Sequence, residues 1–462
     1  MLSFFNISFT LPNEDEEVVI KSLISTEGLR FIVTSMIDNF ISFKPLGIVL
    51  TMMLGIGIAN KVGLLETFIK STILKAPQRI VTYAIIFTGI LGNLAADAAF
   101  IIVPPLAAMV FYNINRHPLA GLAAGFAGVG AGFTANIIVS NTDAVLSDIS
   151  AEVMSTLNTE TTVTPVDNYY FMLTSVLFLT LIGGFITEKI IEPQLGKYQG
   201  NIKKDFKPIT ATEKKKALLY ATFAGIFYIG VLLLILFLPE SPLKNDKGQI
   251  IPSPFIDGIV PIIMLFFITV SIVYRLTMKV IKNSHSFVQL MSEAVKDMSN
   301  FIVLVFAAAQ FIAYFEWTNI GPWFAVSGPS FLGSIGMTGI SIIIIFVLFT
   351  ALLNLFIYSG AGQWALEAPI FLKMFYFLYY HPAFIQAAYR IADSSTNVIT
   401  PMNPYFVIVL AFMQEYEKKA GMETLMTLML PYCIAFLLVW ILLLLAFVIF
   451  GIPFGPGVYV HL

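Results

Sequence analysis

Charge is what this sequence has least of. Lys, Arg, Asp and Glu make up 12% of its 462 residues, while 58% are hydrophobic; a water-facing domain carries about 25% charge. So few charges cannot cover a soluble surface of this length, which excludes a soluble globular enzyme and a disordered chain. A net charge of -2 leaves no basic field for nucleic acid. Cysteine is nearly absent: the single Cys433 lies in PYCIAFLLVW, so no disulfide framework exists and the thiol reads as a small buried hydrophobe. The four histidines, His117, His285, His381 and His461, form no i, i+4 pair with another ligand type, so neither a tight metal site nor a bound cofactor is expected. No G-x-x-x-x-G-K-[ST] loop occurs, and no nucleophile–base pair suggests an intramembrane enzyme. The chain reads as a non-enzyme.

What is present is apolar sequence in runs of about 20 residues, twice the length a barrel strand needs. The fold class is an all-α polytopic membrane protein. Spans are expected at 44–60, 169–190, 217–238, 255–275, 298–314, 335–357 and 424–450. With interrupted apolar stretches at 80–114 and 358–405, the total is about eight or nine spans. Residues 1–43 read as an N-terminal interfacial amphipathic segment rather than a signal peptide, because MLSFFNISFT is followed by Glu14 to Glu17. Lys61, Lys70, Lys75 and Arg79 place one loop in the cytoplasm. Lys197, Lys203, Lys204, Lys207 and Lys214 to Lys216 do so for a second, and Lys279, Lys282 and Lys296 for a third. Residues 151–168 carry no Lys or Arg and read as external.

An internal repeat organises the rest. Pro105 precedes His117-Pro118 by twelve residues, as Pro369 precedes His381-Pro382; Ala123-Ala124 and Ala387-Ala388 follow at one offset. Each unit has a polar insert before it (Gly92, Asn93 and Asp97; Asn354 to Gly362) and a Thr-Ala-Asn or Ser-Thr-Asn after it, ending at Asn136 and Asn397. The loop charges make the first unit start from the cytoplasm and the second from outside. That is an inverted-topology repeat with two re-entrant hairpins and broken helices, the architecture of many secondary transporters. The divisions are 44–165, a first repeat with its hairpin; 166–315, central spans and cytoplasmic loops; and 316–462, a second repeat with its hairpin and a C-terminal span. The tract AGLAAGFAGVGAGFTAN holds too many glycines for a plain spanning helix and predicts close packing plus a break.

Charges within apolar sequence cost about 2.5–3.5 kcal/mol each to insert, so they mark function. Arg390 presents a planar fork that suits a carboxylate, either of a substrate or of Asp393 one turn on. Asp143 and Asp393 either hold sodium with amide and backbone oxygens, Asn93, Asn136 and Asn354 among them, or take up a proton. Asp143 alternatively caps a helix on VSNTDAVL. Trp364, after SGAGQ, either stacks on a planar substrate or anchors at an interface. Ser359 and Asn397 join it on the substrate side, and Pro382 and Pro401 free carbonyls that can coordinate a cation. Glu367 and Lys373 pair or face an aqueous vestibule. His117 and His381, each before a Pro at a helix start, take turn roles.

The stretches HPLAGLAAGFAG, FTANIIVSNTDAVL, NLFIYSGAGQWALEAPIF and AAYRIADSSTNVITPMNPYF resemble the AbgT (p-aminobenzoyl-glutamate transporter) family, from about residue 27 to 457. The resemblance implies a homodimeric, multi-pass carrier in the bacterial inner membrane, in contact with lipid. It implies import of p-aminobenzoyl-glutamate, a small anionic aromatic substrate, or efflux of sulfonamide antimetabolites, driven by a sodium or proton gradient. By the same resemblance Asp143, Asn354, Trp364, Pro382, Arg390, Asp393 and Pro401 stand where the family handles substrate or cation, with sodium at Asp143, Asn354 and Asp393. Three departures stand out. Members usually begin with an additional spanning helix, and this chain begins near where that helix ends. The hairpin usually reads like G-S-x-S-A-K-W, whereas Tyr358, Ala361 and Gln363 replace Gly, Ser and Lys. Glu367 adds an acid nearby. The alternative is a sodium-coupled di- or tricarboxylate carrier of similar architecture.

Overall fold

The computed structural model describes residues 8–10, 17–95, 97–157, 159, 161–200, 212–250, 253–278, 285–296, 298–334 and 339–462. Lys203, Lys204, Lys207, Lys279 and Lys282 lie outside the described residues, and so does the side chain of Asp97.

A two-stranded antiparallel hairpin, β1 (Ser8–Thr10) and β2 (Glu17–Val19), opens the described chain. The longer elements that follow among the described residues are helices. The first group is α1 (Thr26–Ile41), α2 (Lys44–Lys61), α3 (Leu64–Lys75), α4 (Val81–Leu91), α5 (Asp97–Asn113), α6 (Pro118–Gly130) and α7 (Asn141–Ser155). The middle group is α8 (Tyr169–Ile186), α9 (Glu192–Leu195), α10 (Thr212–Phe237), α11 (Pro254–Asp257), α12 (Ile259–Thr277), α13 (His285–Lys296) and α14 (Ser299–Trp317). The last is α15 (Ile320–Ser334), α16 (Ile340–Asn354), α17 (Gly360–Tyr376), α18 (Pro382–Thr396), α19 (Phe406–Tyr416) and α20 (Met422–Ile449). Among the described residues five helical segments are long and apolar enough to cross a membrane, or six if α13 and α14 form one bent span; five shorter apolar helices accompany them. α1 and α2 together make one apolar stretch, Thr26–Lys61, long enough to cross a membrane.

The repeat is visible in the backbone. Asn115 and Tyr379, each two residues before a His-Pro, hold the left-handed conformation at φ 60° and 64°. Arg116 N–H returns to Phe111 C=O and Tyr380 N–H to Phe375 C=O, so both turns close by the same bond. His117 Nδ1 then accepts the Leu119 N–H at 3.3 Å, and His381 Nδ1 accepts the Ala383 N–H at 3.2 Å. Both histidines cap helices, and Pro118 and Pro382 follow at positions where no N–H is needed.

In each unit a hairpin lies beside a broken helix: α4 and α5 against α6, α16 and α17 against α18. The units then exchange their last helices. α7 packs on α17 and α18, while α19 packs on α5 and α6. The small-residue tract, 120–136, packs closely and then breaks, as its glycines suggest: it runs as the buried helix α6 to Gly130 and loses helical form from residue 131. Its glycines let neighbours approach: a Cβ at Gly121 would meet Ala107 C=O at 2.4 Å, and one at Gly125 the Pro104 Cα at 2.9 Å. Around this core α8 packs on α4 and α20, and α10 packs on α12. α10 is the least buried span-capable segment, turning Phe227 and Leu234 outward as a lipid-facing helix does.

Candidate functional site between the two broken regions

The first break, 131–140, meets the last turn of α18, which leads into the second break, 397–405. Thr134 Oγ1 lies 2.7 Å from Ser394 Oγ, and Thr134 N–H donates to the same oxygen at 3.2 Å. In the first unit Ser140 begins α7 as N-cap, and its side chain accepts the Asp143 N–H. Asp143 Oδ2 in turn accepts the Ser140 N–H at 2.6 Å, the Ser140 hydroxyl at 2.8 Å and Asn136 Nδ2 at 2.9 Å. Asn93 Nδ2 donates to Asn136 Oδ1 at 2.9 Å. Asp143 is therefore the third residue of a capping box rather than the cap itself. Its remaining oxygen, Oδ1, accepts Arg390 NH2 from α18, and the same nitrogen donates to Thr134 C=O at 2.8 Å. Arg390 thus pairs across the repeats with Asp143, not with Asp393 one turn away. The pair is buried, where losing either partner strands a charge.

The second unit repeats the motif with one difference. Asn354 Nδ2 stands where Asn93 does, donating to Asn397 Oδ1 at 3.1 Å, to Asp393 C=O at 2.7 Å and to Thr396 Oγ1 at 2.8 Å. No acid closes the network. Both Asp393 carboxylate oxygens and Asn354 Oδ1 are buried without a hydrogen-bond partner. The carboxylate rests against the first residue of α17, where a Cβ at Gly360 would stand 2.9 Å from each oxygen. Buried polar atoms are rarely left unpaired, and hard oxygens without donors suit an alkali cation.

A cavity of about 280 Å³ lies between the units. The start of α7 walls it with Asn141 and Thr142, and the start of α17 with Ser359 and Gly360; Asn397 adds the second break. Two helix N-termini, one from each repeat, therefore border one space, as an anion requires. Asn141 Oδ1 is a buried acceptor without a partner. Phe100, Phe133, Phe301 and Tyr358 supply aromatic wall. The sequence reading named Tyr358 only as a departure in the hairpin and passed over Phe100, Phe133 and Phe301, two of which come from α5 and α14. Trp364 is fully buried, its indole N–H donating to Ser150 Oγ at 2.9 Å and its ring 4.5 Å from that of Tyr389. It ties α17 to α7 and is no interfacial anchor. Arg390 is not part of the cavity wall in this conformation. Pro382 sits in the first turn of α18, so it breaks no helical bond and frees no carbonyl; Pro401 is exposed in the second break. Glu367 and Lys373 do not pair. Glu367 accepts the Thr350 hydroxyl at 2.6 Å and Gln363 Nε2 at 2.7 Å, and Lys373 pairs with Glu316.

Paired inverted units, exchanged terminal helices and a central cavity beside unpartnered oxygens define a membrane transporter. The whole chain, residues 1–462, matches the AbgT putative transporter family and belongs to it. The chain is 40% identical, over 464 aligned residues, to the p-aminobenzoyl-glutamate transport protein of Escherichia coli (strain K12), covering 100% of this chain and 91% of that one. The solved structure of the Alcanivorax borkumensis YdaH transporter superposes at a TM-score of 0.91 with 35% identity, over 98% of this chain and 96% of that one. Neisseria gonorrhoeae MtrF, reported to illuminate a class of antimetabolite efflux pumps, superposes at 0.91 with 38% identity, over 99% and 93%.

Proposed function

We propose that the protein carries p-aminobenzoyl-glutamate or a sulfonamide-like aromatic anion across the bacterial inner membrane as a homodimer. Movement is coupled to a cation held at Asp393 and Asn354. One observation carries the reading: two N-termini from opposite repeats border the cavity, while the oxygens of the second break lack donors. The helix starts of α7 and α17 favour carboxylates. The aromatic wall fits a benzoyl ring, and Asn141 Oδ1 can accept an N–H of the aminobenzoyl group. Sodium meets the unpartnered oxygens directly; a proton would do so by converting the Asp393 carboxylate to a donor. Alternating access follows from moving one repeat against the other. The Arg390–Asp143 pair spans them and holds this conformation.

Uptake of labelled p-aminobenzoyl-glutamate into proteoliposomes, under sodium or proton gradients imposed separately, tests this. Accumulation is expected under one gradient, with competition by a sulfonamide but not by citrate or succinate. Accumulation blocked by citrate or succinate instead would favour the di- or tricarboxylate reading. No accumulation under either gradient contradicts coupled import and moves the test to sulfonamide export.

A further inference from the structure

A second cavity, of about 380 Å³, opens where α2 ends, α10 begins and α12 ends. Its wall carries three cations, Lys61, Lys214 and Arg275, against one carboxylate, Glu293. Arg275 Nε is buried there and has no hydrogen-bond partner. Along the same two helices lies an apolar cavity of about 270 Å³, walled by Leu218, Thr222 and Gly225 of α10 and by Phe266 and Val270 of α12. Lys214 precedes Leu218 by one turn, and Arg275 follows Val270 by five residues. At 1.5 Å per residue the charged and apolar walls stand about 6–8 Å apart along the helix axes. Gly225 lets the helices close behind the groove, since a Cβ there would meet Phe266 and Val270 at 3.2 Å.

We propose that the two cavities form one binding site for an anionic phospholipid. Its phosphate lies among Lys61, Lys214 and Arg275, and an acyl chain fills the groove. Basic pockets between helices at the cytoplasmic face are the usual seat of anionic headgroups, and the lysine-rich loops assign this end of the helices to that face. A soluble anion uses the cations and wastes the groove; a zwitterionic lipid uses the groove and leaves the net positive charge uncompensated. The groove also reaches Leu94 and Ile138, which flank the Asn93–Asn136 bond of the first break. The bound lipid therefore touches the clamped half of the carrier. That consequence for transport rests on the carrier reading; the binding itself does not.

Native mass spectrometry of the delipidated, detergent-purified full chain tests the site with three probes: phosphatidylglycerol, phosphatidylcholine and inorganic phosphate. Phosphatidylglycerol is expected to be retained and the other two are not. Each cation near an anionic lipid is worth roughly fivefold in binding, so K214Q/R275Q should weaken retention about 25-fold and K214R/R275K should restore it. Thr222 is exposed at the groove rim, so T222W should weaken phosphatidylglycerol by filling the groove. Equal retention by the wild type and K214Q/R275Q overturns the proposal. Phosphate bound as tightly as the lipid overturns the acyl half of it. If K214Q/R275Q does not fold, T222W decides: unchanged retention overturns the site.

Discussion

The two breaks begin from one plan and end in opposite states. In each, an asparagine from the hairpin (Asn93, Asn354) donates to an asparagine of the facing break (Asn136, Asn397). At the first, Asp143 accepts three donors on one oxygen and Arg390 on the other, so the acid is satisfied, while Arg390 Nε and NH1 are left without partners. At the second, the Asp393 carboxylate and Asn354 Oδ1 accept nothing. The same backbone geometry thus serves two ends. One break is clamped within the protein, and the other keeps oxygens without donors, the seat proposed for the cation.

The largest expected effect comes from opening the clamp. Arg390→Ala strands the buried Asp143 carboxylate and should cost about 3–5 kcal/mol of stability. Thermal unfolding of the detergent-solubilised protein measures this; a loss below about 1 kcal/mol would mean the pair is not a clamp. Asn93→Ala leaves buried Asn136 Oδ1 without its donor and should cost about 1–3 kcal/mol by the same assay. Thr134→Val removes the 2.7 Å bond between the first break and α18 while leaving both networks standing, and should cost about 1 kcal/mol. An unchanged melting curve would show that the first break is held on α18 by helix packing alone.

The smallest effect lies outside the spans. Burial raises the Asp167 carboxyl from 3.8 to about 6, against the hydrogen bonds from Thr164. Between those values the folded state holds a proton that the unfolded chain has lost. Stability from this group is therefore present below about pH 4 and falls as pH rises through about 6. Asp167→Asn should flatten that part of the stability–pH curve. A slope unchanged in the variant would assign it to another group.

Much of this was legible in the sequence, and the rest was hidden for physical reasons. Hydropathy located the long spans, and the matched His-Pro spacing located the repeat, because capping depends on local sequence. The left-handed residue in the turn before His381 gave no sign, since a tyrosine at positive φ is unusual; Tyr380 N–H closes that turn on Phe375 C=O, and Leu462 N–H bonds Tyr379 C=O. Local reasoning also chose the wrong partners for buried charges. Asp393 lies one turn from Arg390, yet the pair forms with Asp143, 247 residues away. Lys373 lies near Glu367 in sequence, yet Glu367 takes neutral donors from Gln363 and Thr350. Helix exchange between the units brings Arg390 to Asp143, and no sequence window shows it; Glu367 takes its donors from its own helix and from the neighbouring α16.

The most direct measurement is the sodium-dependent shift in melting temperature of the wild type, Asp393→Asn and Asn93→Ala, with potassium as the control salt. The account predicts that sodium raises the melting temperature of the wild type and of Asn93→Ala, and leaves Asp393→Asn unmoved. A sodium shift that survives in Asp393→Asn would contradict a cation seat at the second break.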